Sequence, residues 1–135
     1  MARRGANQAL RIISSVPGER VVSVSCPATP DYLRLARLAT ADMGSRAGFD
    51  YEEIDDLRIG VSELCSMVSG AADATLTLEY SLDDTSVTVR GVAVPGTLVE
   101  NELSQAIVRA VVDEFEVAME DGVARFHASK RARTR

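Results

Sequence analysis

Asp50 and Glu53 stand three residues apart at the head of an apolar stripe, Ile54, Leu57, Val61, Leu64 or Cys65, and Val68, which closes at Gly70. An acid able to accept from the third backbone amide, with a glutamate at that position able to reach back, marks a helix start. The three-to-four spacing gives this helix one apolar face, which another element must cover. The rest of the chain offers a sheet for that purpose. Residues 74–81 and 86–90 alternate with period two around Asp83 and Asp84 and predict an antiparallel hairpin. Residues 114–119 and 123–129 flank Glu120, Asp121 and Gly122 and predict a second. The β-branched run from Arg20 to Ser25 predicts a strand over residues 19–25.

Two further helices are expected. Thr29, Pro30 and Asp31 supply an N-cap oxygen, a proline for the first helical position and an acid for the positive end of the dipole. That helix runs to Arg46 and ends at Gly48, with Tyr32, Leu35, Leu38 or Ala39, and Met43 on its expected apolar face. Residues 98–113 fit the other, with Leu103, Ala106 or Ile107, Ala110 and Val111 on one side, and residues 91–96 form a loop before it. Hairpin-paired strands with three one-sided helices predict an α+β fold, a two-layer sandwich of a mostly antiparallel sheet covered on one face by three helices. The expected organisation is a flexible basic arm over 1–18, one domain over 19–129 and a basic tail over 130–135.

Charge placement limits the partners. The chain of 135 residues has 15 Lys and Arg against 20 Asp and Glu. Its two ends hold eight of the bases and one of the acids, which leaves 7 bases and 19 acids in residues 21–129, about −12. An acidic body with no helix-turn-helix and no aromatic stacking platform argues against nucleic acid, although the arginine-rich tail keeps a small nucleic-acid-binding protein as an alternative. No apolar run approaches the ~20 residues a membrane span needs. Cys26 and Cys65 are too far apart for a C-x-x-C site and read as reduced core residues, which together with the absence of a signal-like N-terminus leads to a cytoplasmic expectation. His127 has no second ligand near it in sequence and reads as a surface or packing histidine, so no metal site is expected.

The order of elements, together with Ile54-Asp55-Asp56-Leu57-Arg58-Ile59-Gly60-Val61-Ser62-Glu63-Leu64-Cys65-Ser66, resembles the RsbW-like serine-kinase anti-sigma factors of the GHKL, or histidine-kinase-like, ATPase superfamily. Asp31-Tyr32-Leu33, the run from Val108 to Val117, and Asp121-Gly122 before Lys130-Arg131 extend the resemblance over residues 20–131. It implies the Bergerat-type ATPase fold, a homodimer, a sigma factor as the captured partner and an anti-anti-sigma factor as its antagonist.

The resemblance also implies where Mg·ATP would sit. Glu63 matches the family's catalytic glutamate, but the magnesium-binding asparagine one turn later is replaced by Met67, and a thioether is a poor donor for a hard cation. The adenine-binding aspartate and its glycines fall at Gly91, Ala93 and Pro95, which carry no carboxylate. The phosphate-cradling lid falls at residues 100–104, where Glu100 and Glu102 precede Ser104 and would oppose a triphosphate with like charge. The expectation is an anti-sigma factor with degenerate nucleotide positions and no ATP or magnesium. The alternative is an active serine/threonine kinase acting on the anti-anti-sigma factor, in which case ATP and magnesium are its cofactors. Tyr32, Arg34 and Arg37 are the expected partner-binding residues, and both arginines also read as solvated helix charges. The acids Glu52, Glu53, Asp55 and Asp56 read as a solvated face.

Overall fold

The computed structural model describes residues 20–133. Five strands and three helices follow in the order β1 (Arg20–Pro27), α1 (Pro30–Arg46), α2 (Tyr51–Val68), β2 (Thr75–Leu82), β3 (Ser86–Val94), α3 (Glu102–Val111), β4 (Glu114–Glu120) and β5 (Val123–Arg131). The strands form one antiparallel sheet in the order β1-β2-β3-β5-β4. The expected α+β sandwich is thus the fold. The arm over residues 1–18 lies outside the described residues, as do Thr134 and Arg135 of the tail.

The register sorts side chains between two faces, since residues opposite one another share a side. Val22, Val24 and Cys26 of β1 oppose Tyr80, Leu78 and Leu76 of β2, which in turn oppose Val89, Gly91 and Ala93 of β3. These meet Ala128, Phe126 and Ala124 of β5, and the row packs under α1 and α2 as the core. The other face carries Ser23, Glu79, Arg90, His127 and Glu116 in a row across all five strands. Turn chemistry closes both hairpins. Asp83 Oδ1 accepts from the amides of Thr85 and Ser86, and the hydrogen bond from Thr85, first among these contacts, holds its carboxyl below the ordinary range. Asp121 and Gly122 take positive φ at 51° and 77°, the left-handed pair of a tight hairpin.

The capping box of α2 forms in full. Asp50 accepts from the Glu53 amide at 2.8 Å, and Glu53 Oε1 accepts from the Asp50 amide at 2.9 Å. Thr29 caps α1 by position alone, without a side-chain hydrogen bond.

Four expectations are corrected. The stripe of α1 is rotated about the axis: Tyr32, Leu35 and Leu38 are exposed, whereas Met43 is buried as expected, together with Ala36, Thr40 and Gly44. Small residues win because the helix lies close on the sheet, where Tyr80 Oη stands 2.8 Å from Thr40 Oγ1 and 3.1 Å from the Ala36 carbonyl. The third helix is shorter than expected and has Val108 as its buried residue, with Leu103 turned outward. Gly91 and Ala93 belong to β3, not to a loop. The acidic cluster is not all solvated, since Glu53 is fully buried.

The C-terminal basic residues are tied to the domain. β5 continues through Arg131, whose amide donates to Asp113 Oδ2, and the Ala132 amide donates to the Thr85 carbonyl. The Arg133 amide donates to Glu53 Oε2 at 2.6 Å, its guanidinium lies within 4.0 Å of Asp50, Glu52 and Glu53, and Lys130 approaches Asp56 at 3.9 Å.

Glu79 is buried on the helix-free face, where Ser23 Oγ approaches its Oε2 at 3.5 Å and its Oε1 has no hydrogen-bond donor. Burial raises its carboxyl above the ordinary value of 4.5. Its share of stability is therefore fully present below about pH 4.5 and is lost as pH rises through the raised value. Glu79→Gln is expected to raise Tm at pH 7.5, with a gain that shrinks as the pH is lowered toward 4, in a thermal melt series across that range.

Candidate functional site

Three segments meet where the resemblance assigns nucleotide chemistry: the C-terminal half of α2, the end of β3 with the segment that follows it, and the start of α3. Glu63 and Met67 stand one turn apart on α2, and their surroundings differ. Glu63 is half-buried, whereas Met67 is buried in the core at 2% exposure. The Met67 carbonyl accepts from the Val99 amide at 2.9 Å, and the Gly70 amide donates to Thr97 Oγ1 at 2.9 Å. Both contacts pin residues 97–99 against the end of α2.

The same segment is fastened at its other end. The Gly96 amide donates to the Gly122 carbonyl at 2.7 Å, and a Cβ on Gly96 would lie 2.2 Å from the Ala124 nitrogen, so only glycine permits this approach. Pro95, joined to Val94 by a cis bond, is exposed beside it. Gly91 has a packing role: a Cβ there would meet three ring carbons of Phe126 at 2.2–2.8 Å. Ala93 is fully buried in the sheet.

At the start of α3 the Ser104 amide is already engaged. Asn101 Oδ1 accepts from the Ser104 amide at 2.7 Å, and Glu100 Oε1 accepts from Gln105 Nε2 at 2.9 Å. Glu102 projects from the first turn, where its carboxylate suits the helix dipole and opposes an incoming anion. Asn101 lay within the expected lid stretch without a role assigned to it, and its N-cap signal is of the ordinary kind. The contacts of Val99 and Phe126 have no local sequence signal.

Among the described residues no group of three or more His, Cys, Asp or Glu side chains is placed to hold a metal ion. Cys26 and Cys65 are free and buried, and burial pushes the Cys65 thiol up to about 12, where it is protonated and unreactive at neutral pH. His127 Nδ1 lies 3.8 Å from Glu116 Oε2 beside Arg90 and Arg125, around a shallow depression of about 240 Å³ on the helix-free face.

The expected partner-binding residues lie on α1 but not on one side of it. Arg37 leans toward α2 and donates from Nε to Ser62 Oγ at 3.2 Å, lining a narrow cleft with Leu33, Ala36, Val61 and Cys65. Arg34 is exposed. Tyr32, five residues before Arg37, lies about 140° around the helix from it, given ~100° per residue. Leu35 and Leu38, absent from the expected set, are exposed at 47% and 68%.

No family model matches the chain. It is 38% identical over 74 residues to the serine-protein kinase RsbW of Listeria innocua, covering 51% of this chain and 47% of that protein. It is 42% identical over 45 residues to the serine-protein kinase RsbW of Bacillus subtilis, covering 33% of this chain and 28% of that protein. The chain thus spans about half the length or less of these curated relatives. Its fold is similar to a crystal structure of the RsbU and RsbW domains of a Mycobacterium tuberculosis protein, with a TM-score of 0.64 and 17% identity over 83% of this chain and 32% of that one. In sequence over about half its length this chain is similar to RsbW serine-protein kinases, and in fold over most of its length it is similar to the solved RsbU and RsbW domains.

Proposed function

We propose that this domain is an anti-sigma factor that captures an alternative sigma factor through α1, is relieved by an anti-anti-sigma factor, and works without binding ATP. The observation that carries the last part is Met67. At the position where the resemblance calls for a magnesium-binding oxygen there is a thioether, packed in the core, with Val99 bonded to its carbonyl. The residues present do not fit Mg·ATP: no hard donor stands at the metal position, Gly91 is filled over by Phe126, and an acid, Glu102, stands in the first turn of α3 where the resemblance puts the phosphates. Sequestration needs only a surface, and α1 offers Arg34 to solvent next to exposed Leu35 and Leu38.

An active serine kinase phosphorylating the anti-anti-sigma factor is the second reading, favoured by Glu63 and by the serine-protein kinase names of the relatives. Direct nucleic-acid binding is disfavoured because Lys130 and Arg133 are turned onto acids of α2. The working form is a homodimer, and capture of a sigma factor places it in the cytoplasm.

One experiment separates these readings. Purified full-length chain is titrated with Mg·ATP by calorimetry and then used to capture each alternative sigma factor of its source bacterium, with and without Mg·ATP. The expected result is no heat and ATP-independent capture of one sigma factor, which Arg34→Glu with Arg37→Glu weakens by about 30-fold, or ~2 kcal/mol, without lowering Tm. Micromolar ATP binding sinks the ATP-free reading. Capture unaltered by the double charge reversal sinks the assignment of α1.

A further inference from the structure

Among the described residues no helix covers the sheet face that carries Ser81, Glu79, Arg90, Val92 and His127. Three of these are nonetheless as hidden as the core: Ser81 is 8% exposed, Glu79 4% and Val92 2%. The side chains beside Glu79 on that face are Ser23 and Arg90 on the neighbouring strands and Thr77 and Ser81 on its own. Three of those four are small, and small neighbours on an open sheet face leave a glutamate between them in water. Glu79 Oε1 also has no hydrogen-bond donor, a state that costs free energy only where water is excluded. Ser23, Ser25 and Thr75 on the same face are exposed, so whatever excludes water there is local to this strip.

The sequence before β1 has the chemistry to do so. Ala6, Ala9, Leu10, Ile13 and Val16 recur at three-to-four spacing, with Ile12 on their border and Asn7, Gln8, Arg11, Ser14 and Ser15 opposite. Pro17 and Gly18 break the pattern just ahead of β1. Residues 17–19 reach about 10 Å at most. The strand they lead into sets Val21 opposite Ser81, at the head of the hidden strip. A helix over residues 6–16 is ~16 Å long, and β1 to β4 spans ~19 Å at ~4.8 Å per strand. Laid across the face from β1, such a helix ends near β5 and β4. Glu116 and Glu120 stand there on the same side, and residues 1–18 hold Arg3, Arg4 and Arg11 with no acid.

We infer that residues 6–16 form an amphipathic helix that lies across the helix-free face, with its apolar stripe over Ser81, Glu79 and Val92 and with Arg3 and Arg4 toward the glutamates of β4. The inference stands apart from the anti-sigma reading and replaces the loose arm that charge alone suggested. Reach and charge select this segment of the same chain. An apolar stripe also accounts for a carboxyl that is hidden and without a donor, because it removes water and supplies no hydrogen bond in exchange. The raised Glu79 carboxyl is the consequence expected of that cover.

The test uses the full chain. Hydrogen exchange is followed in residues 8–16 of the parent, of Leu10→Asp with Ile13→Asp, and of a free peptide of the parent sequence. The expected result is exchange about 10-fold or more slower in the parent than in the peptide, with the two aspartates restoring the peptide rate. Ser81→Cys and Ser23→Cys are then alkylated with N-ethylmaleimide, with Cys26 and Cys65 buried in both. Ser81→Cys is expected to react about 100-fold more slowly than Ser23→Cys, and the two aspartates to remove at least about 10-fold of that difference while leaving Ser23→Cys unchanged. Peptide-like exchange in the parent overturns the helix. Protection of Ser81→Cys that ignores the aspartates overturns its seat on this face. Protection that vanishes on dilution assigns the cover to another copy and overturns docking within one chain.

Discussion

Glu53→Ala is expected to cost about 3–5 kcal/mol, the range for removing one partner of a buried charged network, and so to consume much of the ~5–15 kcal/mol that holds a domain of this size together. Glu53 is fully buried, and its two oxygens serve segments far apart in the sequence. Oε1 closes the capping box on the Asp50 amide, and Oε2 accepts from the Arg133 amide with the Arg133 guanidinium 3.5 Å away. The alanine leaves both amides without this carboxylate, opens a cavity and removes one of the ties between the C-terminal segment and α2. Chemical denaturation should show the loss as a lower midpoint. Glu53→Gln, which keeps the volume and one acceptor oxygen, should recover part of it. A Glu53→Ala variant as stable as the parent would mean that neither end depends on this side chain.

Gly91→Ala is the second large effect, about 2–3 kcal/mol of destabilisation from overpacking. The added methyl would sit 2.2 Å from one ring carbon of Phe126, which is itself buried and held directly opposite by the β3–β5 register. Neither the ring nor the strand can move without disturbing the sheet. Phe126→Leu in the Gly91→Ala background should therefore cost less than Phe126→Leu alone, and a double-mutant cycle measures that coupling. If Gly91→Ala leaves Tm unchanged, the ring is not what requires glycine there, and a backbone-approach role for Gly91 returns to consideration.

Much of the fold was legible because its signals are local. The capping box needs only Asp50 and Glu53, and the hairpins need only alternation and turns at Asp83-Asp84 and Asp121-Gly122. These are short-range preferences of backbone and side chain that hold whatever the rest of the chain does. The RsbW-like pattern on α2 was legible for the same reason, since Glu63 and Met67 are read from one continuous helix.

Contacts between distant segments were not legible. Hydrophobicity chose Tyr32, Leu35, Leu38 or Ala39, and Met43 as the buried face of α1, but of these only Met43 is fully buried, and Ala36, Gly44 and Thr40 join it because Thr40 gains a hydroxyl partner from Tyr80, 40 residues away. That rotation is what leaves Tyr32, Leu35 and Leu38 exposed. The Arg133 tail read as a loose basic end because nothing near it in sequence calls for a base. It is held by Glu53, 80 residues earlier. Gly91 read as a degenerate adenine position without its carboxylate, and only the pairing of β3 with β5 brings Phe126 over it. Sequence alone determined the elements, the order in which they occur and the family they resemble, because those rest on near-neighbour chemistry. Which faces are buried, which glycines are filled over and which charges are neutralised were decided by tertiary packing, because each depends on a partner that only the folded chain brings within a few ångströms.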